Sequence, residues 1–378
     1  MNFIRTKSAT YVLSAFVAAA FLAACSSGGT QPASPSSGLG MSSSASHHPG
    51  SLGRSGPGHM YLGVKWRTPK QRNHVKSWIS PDVMNSPRLL FAADAGNQVV
   101  NIFRMTNHSM DYKGALAGPD PGTRFEYPQG ECGDSRGNIY VADTEAQKVY
   151  AFTRTGTSAF ATYDTAAFGH PASCAWDPST GNLAVTLLSD TGGGDGAVLI
   201  YSSASQTPTE ISNPGQAAYY FAGYSPSGDL WEDGFDSSGN FVVAFCGASS
   251  CTTIPISGGT IFYPGAVQFD RVRGEWVVFD QQCNGAQSSC SYVVAGSGAL
   301  SNRVDYFAHN GSEACDVVQA VIGADNGNLF AAGGDADTCG NSSASVDRWA
   351  YPAGGVPTTH TSEQIIDPSG SAISNKNK

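Results

Sequence analysis

The sequence predicts an all-β fold, a six-bladed β-propeller preceded by a signal peptide and a disordered tether. Three observations carry the body of that expectation. A glycine-closed hairpin turn recurs at near-constant spacing, the residues after each turn alternate or run apolar over strand lengths, and charge is scarce (13%) while glycine is abundant (45 of 378). A chain of that composition has many turns and little exposed helix. No long stretch beyond the N-terminal segment places apolar residues at helical spacing.

The clearest copy of the repeat is PQGECGDSRGNIYVAD, residues 128–143, followed by KVYAF, residues 148–152. It reads as a strand, a tight turn ending in Gly137, a second strand ending in Asp143, a loop and a third strand. The turn recurs around Gly181, Gly228, Gly274 and Gly327, at steps of 44, 47, 46 and 53 residues. An earlier copy, LLFAAD, lacks the glycine turn but aligns by Asp94, 49 residues before Asp143. Asp or Ser opens each turn by accepting backbone amides, and Gly takes the left-handed position that a Cβ resists. The strands that follow (NIYVAD, NLAVTLL, EWVVFD, NLFAAG) have the apolar character of half-buried or fully buried β-structure. In copy four, SPSGDLWEDGFDSSGNFVVAF holds two turn signals, and the second reads as the next hairpin of the same blade. A period of 40–50 residues with four short strands is that of a propeller blade.

PQGECGDSRGNIYVAD resembles an NHL-type repeat, and residues 85–375 resemble the NHL-like propellers of bacterial lipoproteins. Copies three and six depart from the pattern, with Leu188-Ser189-Asp190 and Ala331-Ala332-Gly333 where Ala-Asp is expected. Six copies imply six blades. The first copy lacks its opening strand, and the C-terminal segment IIDPSGSAIS resembles one. The C-terminal strand is therefore expected to join the first blade and close the ring, removing two sheet edges.

The N-terminus places Arg5 and Lys7 before an apolar run from Tyr11 to Leu22, then Leu22-Ala23-Ala24-Cys25 and a Ser/Gly/Pro tract. A run this short marks a secretory signal and not a membrane span, which needs about 20 apolar residues. The Cys at the cut resembles a bacterial lipoprotein signal. That likeness implies acylation of Cys25 and, with Ser26 following it, a lipid anchor in the outer membrane of the cell envelope. The domains are then residues 1–24 (signal), 25–78 (basic tether) and 79–375 (propeller). From residue 81 onward 13 basic residues face all 30 acids, a net of −17. Such a body excludes nucleic acid as a partner. Apart from Cys25 there are eight cysteines, as expected of a disulfide-bonded exported protein. Cys246 with Cys251 and Cys283 with Cys290 each span a Gly/Ser-rich turn and are expected to pair. The connectivity of Cys132, Cys174, Cys315 and Cys339 stays open.

With strands named A to D from the axis outward, the glycine turns are A–B turns, and the B–C and D–A loops share the opposite face. Asp94, Asp143, Asp190, Asp233, Asp280 and Asp335 follow the second strands, one per blade, with Trp231 and Glu232 nearby. They are candidates for an acidic, aromatic ligand face suited to a sugar, a cation or a metal. The rival reading is that each Asp caps its own loop. No residue is assigned as catalytic and no metal ligand set is assigned; Ca²⁺ or another divalent cation is the one cofactor considered. Gly-Gly-Gly-Asp195-Gly lacks the Lys-Ser/Thr of a phosphate loop, and a calcium-loop start at Asp335 has Cys339 at a ligand position. H-E-x-x-H and G-x-S-x-G are absent. The expected function is a monomeric, membrane-anchored module that binds a protein or carbohydrate. The alternatives are a metal-dependent hydrolase or lyase resembling the gluconolactonase-like propellers, and a purely structural envelope role.

Overall fold

The computed structural model describes residues 76–203, 205–283, 288–325, 328–336 and 343–376. Cys25, the signal and most of the tether lie outside them. The strands form six antiparallel sheets. Blade one holds β1 (Trp78–Ile79), β2 (Arg88–Asp94), β3 (Val99–Met105) and β4 (Met110–Leu116). Blade two is β5 (Pro128–Gly133), β6 (Ile139–Asp143), β7 (Lys148–Phe152) and β8 (Ala159–Asp164). Blade three is β9 (Gly169–Trp176), β10 (Leu183–Asp190), β11 (Val198–Tyr201) and β12 (Thr209–Ile211). Blade four follows as β13 (Gln216–Tyr224), β14 (Leu230–Asp236), β15 (Phe241–Cys246) and β16 (Cys251–Ile254). Blade five comprises β17 (Pro264–Asp270), β18 (Glu275–Cys283), β19 (Ser288–Val294) and β20 (Leu300–Asp305). Blade six has β21 (Val317–Asp325), β22 (Asn328–Asp335), β23 (Ser345–Ala350) and β24 (Gly354–Thr361).

The last strand, β25 (Pro368–Asn375), returns to blade one and pairs antiparallel with β2, from Arg88 opposite Asn375 to Asp94 opposite Pro368. The expected ring closure is observed. Blade one also gains β1 at its outer edge, paired with β4, a strand the repeat pattern did not suggest.

The continuous apolar runs of the second strands have a simple cause. Each such strand is covered by a neighbouring blade on both faces, and the period-2 alternation divides it between two interfaces. Leu89 and Phe91 pack with Ile139 and Val141 of blade two. Leu90 and Ala92 pack with Phe330 and Ala332 of blade six. Four further clusters fill the remaining junctions, so the core is a ring of six inter-blade layers. The outer strand β8 is covered on one face alone, and its residues alternate between half-buried and exposed.

The turn chemistry is as read at four of the five glycines, and Gly327 lies outside the described residues. Gly137, Gly181, Gly228 and Gly274 have φ of 85°, 77°, 91° and 73°, in the region where a side chain is strained. The Asp134 carboxylate accepts the Arg136 and Asn138 amides, and the Ser225 hydroxyl accepts those of Ser227 and Asp229. The second signal of copy four, around Gly239, is the turn between β14 and β15. Disulfides Cys246–Cys251 and Cys283–Cys290 close the turns expected of them. Cys132–Cys174 joins the innermost strands of blades two and three. Cys315 is disulfide-bonded as well.

Candidate functional site

Six inner strands, β25, β5, β9, β13, β17 and β21, surround the axis. Towards their N-terminal ends they crowd together backbone to backbone. A Cβ on Gly370 would strike the Gln129 carbonyl, and one on Gly130 would strike the Ser173 side chain. Inner strands leave one edge of N–H and C=O groups unpaired, and buried polar groups require partners. Two glutamines meet that need. The Gln319 carbonyl oxygen accepts the Glu131 and Ser371 amides, both at 2.9 Å, and its NH₂ donates to the Glu131 carbonyl at 2.8 Å. One side chain thus bolts blade six across blade one to blade two. Gln268 likewise accepts the Ile322 amide at 2.8 Å and donates to the Ala320 carbonyl, tying blade five to blade six.

Towards the A–B turns the inner strands diverge around a cavity of about 650 Å³. This is the size of a small-molecule site. Glu131 and Gln319 lie deepest, since they precede the other lining residues of their strands. Trp176, Tyr224 and Phe269 line the walls, and Asp134, Asp270 and Arg271 line the turn end. Asp134 is committed to its turn amides and Asp270 to the Val272 and Arg273 amides.

Glu131 differs. It is 1% exposed, and its carboxylate has no well-formed hydrogen bond; the Ala372 amide is the one donor beside it. Because Cys132 bonds to blade three, Glu131 projects the other way, towards Ala372 of blade one. Burial drives its pKa well above the ordinary value of 4.5, offset in part by the Ala372 amide; no charged side chain contributes. The folded protein therefore holds a proton that the unfolded chain releases above pH 4.5. Stability linked to this group is full at low pH and declines as pH rises from there towards the raised value, by up to about 1.4 kcal/mol per unit. Glu131→Gln is expected to remove that decline, so that its melting temperature exceeds the wild type's by a margin that widens with pH. Parallel pH–melting curves for the two proteins would refute this.

The acids expected on the opposite face each occupy a defined place. Asp94 accepts from the Ile366 and Asp367 amides and from both nitrogens of Asn97. Asp143 accepts the Glu126 and Tyr127 amides, Asp280 those of Phe262, Tyr263 and Gln282, and Asp335 that of Cys315. Asp233 lies inside β14 and accepts the Phe221 amide. In four blades, then, a buried carboxylate on the second strand latches the chain entering the first, and in blade four Asp233 holds the middle of β13 instead. Asp190 is the exception, exposed and bound to the Gly192 and Gly194 amides of its own loop. Desolvation outweighs the accepted amides and raises the pKa of Asp94, Asp233 and Asp280, and that of Asp143 to about 6. Trp231 is buried and stacked on Trp276 at 4.7 Å between blades four and five, and Glu232 is buried against Gln216 at 2.7 Å. None of these eight residues lines the central cavity.

Glu232 lies with Cys246 and Cys251, and Asp280 with Cys283 and Cys290, each set within 4.8 Å. The sulfurs of both sets are joined in disulfides, so they offer no thiolate to a metal. The residue missed by the sequence reading was Glu131. Its signal was present: it is the one acid in the interior of an inner strand, where Asp270 and Asp325 stand at strand ends.

With this geometry in view, comparison with known proteins bears on the fold. No family model and no curated protein sequence matches the chain. A chain from the crystal structure of a nidogen–laminin complex is similar over 77% of this chain and 99% of its own length, at 13% identity and a TM-score of 0.55. A protein of unknown function from Bacteroides caccae is similar over 76% and 99%, at 14% identity and a TM-score of 0.52. The shared feature is the fold. This chain is a six-bladed propeller.

Proposed function

We propose that this propeller is a binding module of the bacterial cell envelope, with NHL-like blades, anchored by a lipid on Cys25, that takes a ligand in its central cavity. The axial cavity of about 650 Å³ carries the reading, because the inner strands close one end and leave walls of mixed aromatic and polar character at the other. The disulfides Cys132–Cys174, Cys246–Cys251 and Cys283–Cys290, with Cys315 also disulfide-bonded, support an oxidising compartment. The similar chain from the nidogen–laminin complex is a precedent for this fold within a protein assembly.

Ala324 is exposed at the cavity lining, so Ala324→Trp is expected to fill the mouth without disturbing an inter-blade core. A thermal-shift screen of small molecules against wild type and Ala324→Trp checks the module. Ligands that stabilise the wild type and not the variant support it, and stabilisers indifferent to the plug contradict it. Incorporation of labelled palmitate, lost in Cys25→Ser, checks the anchor.

A further inference from the structure

A carboxylate that is 1% exposed, with no well-formed hydrogen bond and only the Ala372 amide beside it, calls for a counter-group, since a buried charge is costly. Glu131 contributes to the cavity lining, as does Ala372, the residue its side chain approaches. We propose that the central cavity takes an organic cation, a molecule bearing a primary ammonium, with the Glu131 carboxylate as its counter-ion and the Trp176, Tyr224 and Phe269 rings as walls for its apolar body. The proposal deepens the cavity-binding reading and rests on it.

Three observations favour an organic ammonium over a metal ion. Gln319, the neighbouring polar side chain, spends its carbonyl oxygen on two amides. One carboxylate then remains where Ca²⁺ would take six to eight oxygens. The lining adds three aromatic residues, whose faces attract cations and whose area suits an organic body. The body of the chain, at −17 from residue 81 onward, draws cations towards it. A glutamate side chain has three rotatable bonds, so an ammonium at the cavity floor draws the carboxylate from the wall between β5 and β25.

Burial favours the protonated carboxyl, and an incoming ammonium displaces that proton to solvent. Charge balances: one cation enters and one proton leaves. Ligation therefore tightens by about tenfold per pH unit until the carboxyl ionises unaided. No titratable side chain of the described residues acts on this carboxyl; burial and the Ala372 amide are its surroundings.

Calorimetry on the mature chain tests this, with benzylammonium and its uncharged counterpart benzyl alcohol as probes. Benzylammonium is expected to bind, to release about one proton (read from the heats in buffers of different ionisation enthalpy), and to lose roughly tenfold or more in affinity in Glu131→Gln. Benzyl alcohol should not distinguish the two proteins. The variant's own melting curve verifies that it is folded. Equal affinity of both proteins for benzylammonium, binding without proton release, or no binding by the wild type overturns the proposal. If uncharged molecules still stabilise the wild type and not Ala324→Trp, the cavity reading survives while the ammonium proposal falls.

Discussion

Truncation after Thr361 is expected to abolish the cooperative thermal transition. The lost segment includes β25, the inner strand of blade one, whose register with β2 runs over Arg88 to Asp94. Its removal bares the inner edge of β2 and strips cover from blades one and two at once, because Ala372 packs in the core of that junction. Gln319 loses the Ser371 amide, and the Pro128 carbonyl loses the Ser369 hydroxyl. A bare strand edge beside an open apolar layer is also a site for association. Calorimetry and light scattering on the truncated chain should show a broad, non-cooperative transition and aggregation. A sharp transition within a few degrees of the full chain would mean that the ring does not depend on this closure.

The second large effect is expected at Asp94. Its buried carboxylate accepts two amides from the chain entering β25 and two donors from Asn97. Asp94→Ala leaves the Ile366, Asp367 and Asn97 backbone amides without this acceptor, while the Asn97 side chain keeps the Gln364 carbonyl; at about 1–3 kcal/mol for each unsatisfied group, a total loss of about 3–5 kcal/mol is expected after relaxation. Asp190→Ala provides the contrast, since Asp190 is exposed and serves only its own glycine loop. A cost below about 1 kcal/mol is expected there. Urea unfolding of both variants measures the difference. Similar costs would show that the latch to β25 is not what Asp94 contributes.

Much of this architecture was legible because a propeller repeats its local chemistry. Asp134, Asp177, Ser225 and Asp270 each open a turn that glycine closes, and those turns lie where the spacing put them. The closing role of IIDPSGSAIS was legible because blade one lacked an inner strand. Three things were harder to read. The two-residue strand β1 is too short to leave a pattern. The bond between Cys132 and Cys174 depends on which inner strands are neighbours, and spacing in sequence does not specify that. The recurring aspartates signalled a shared structural duty as readily as a ligand face, and hydrogen-bond geometry was needed to show how they latch the inner strands. Glu131 was hidden for the opposite reason, because it occurs once. A residue that breaks a repeat carries the functional information that its recurring neighbours lack.

The chain forms a closed six-bladed ring, and the proposal places a ligand above Glu131 in its axial cavity. A crystal structure of the chain purified from its native source is the decisive measurement. Ordered non-water density is expected in the cavity lined by Trp176, Tyr224 and Phe269, with a cationic group against the Glu131 carboxylate. A cavity filled by water alone, with bound density instead on the face of Asp94, Asp143 and Asp280, would contradict it.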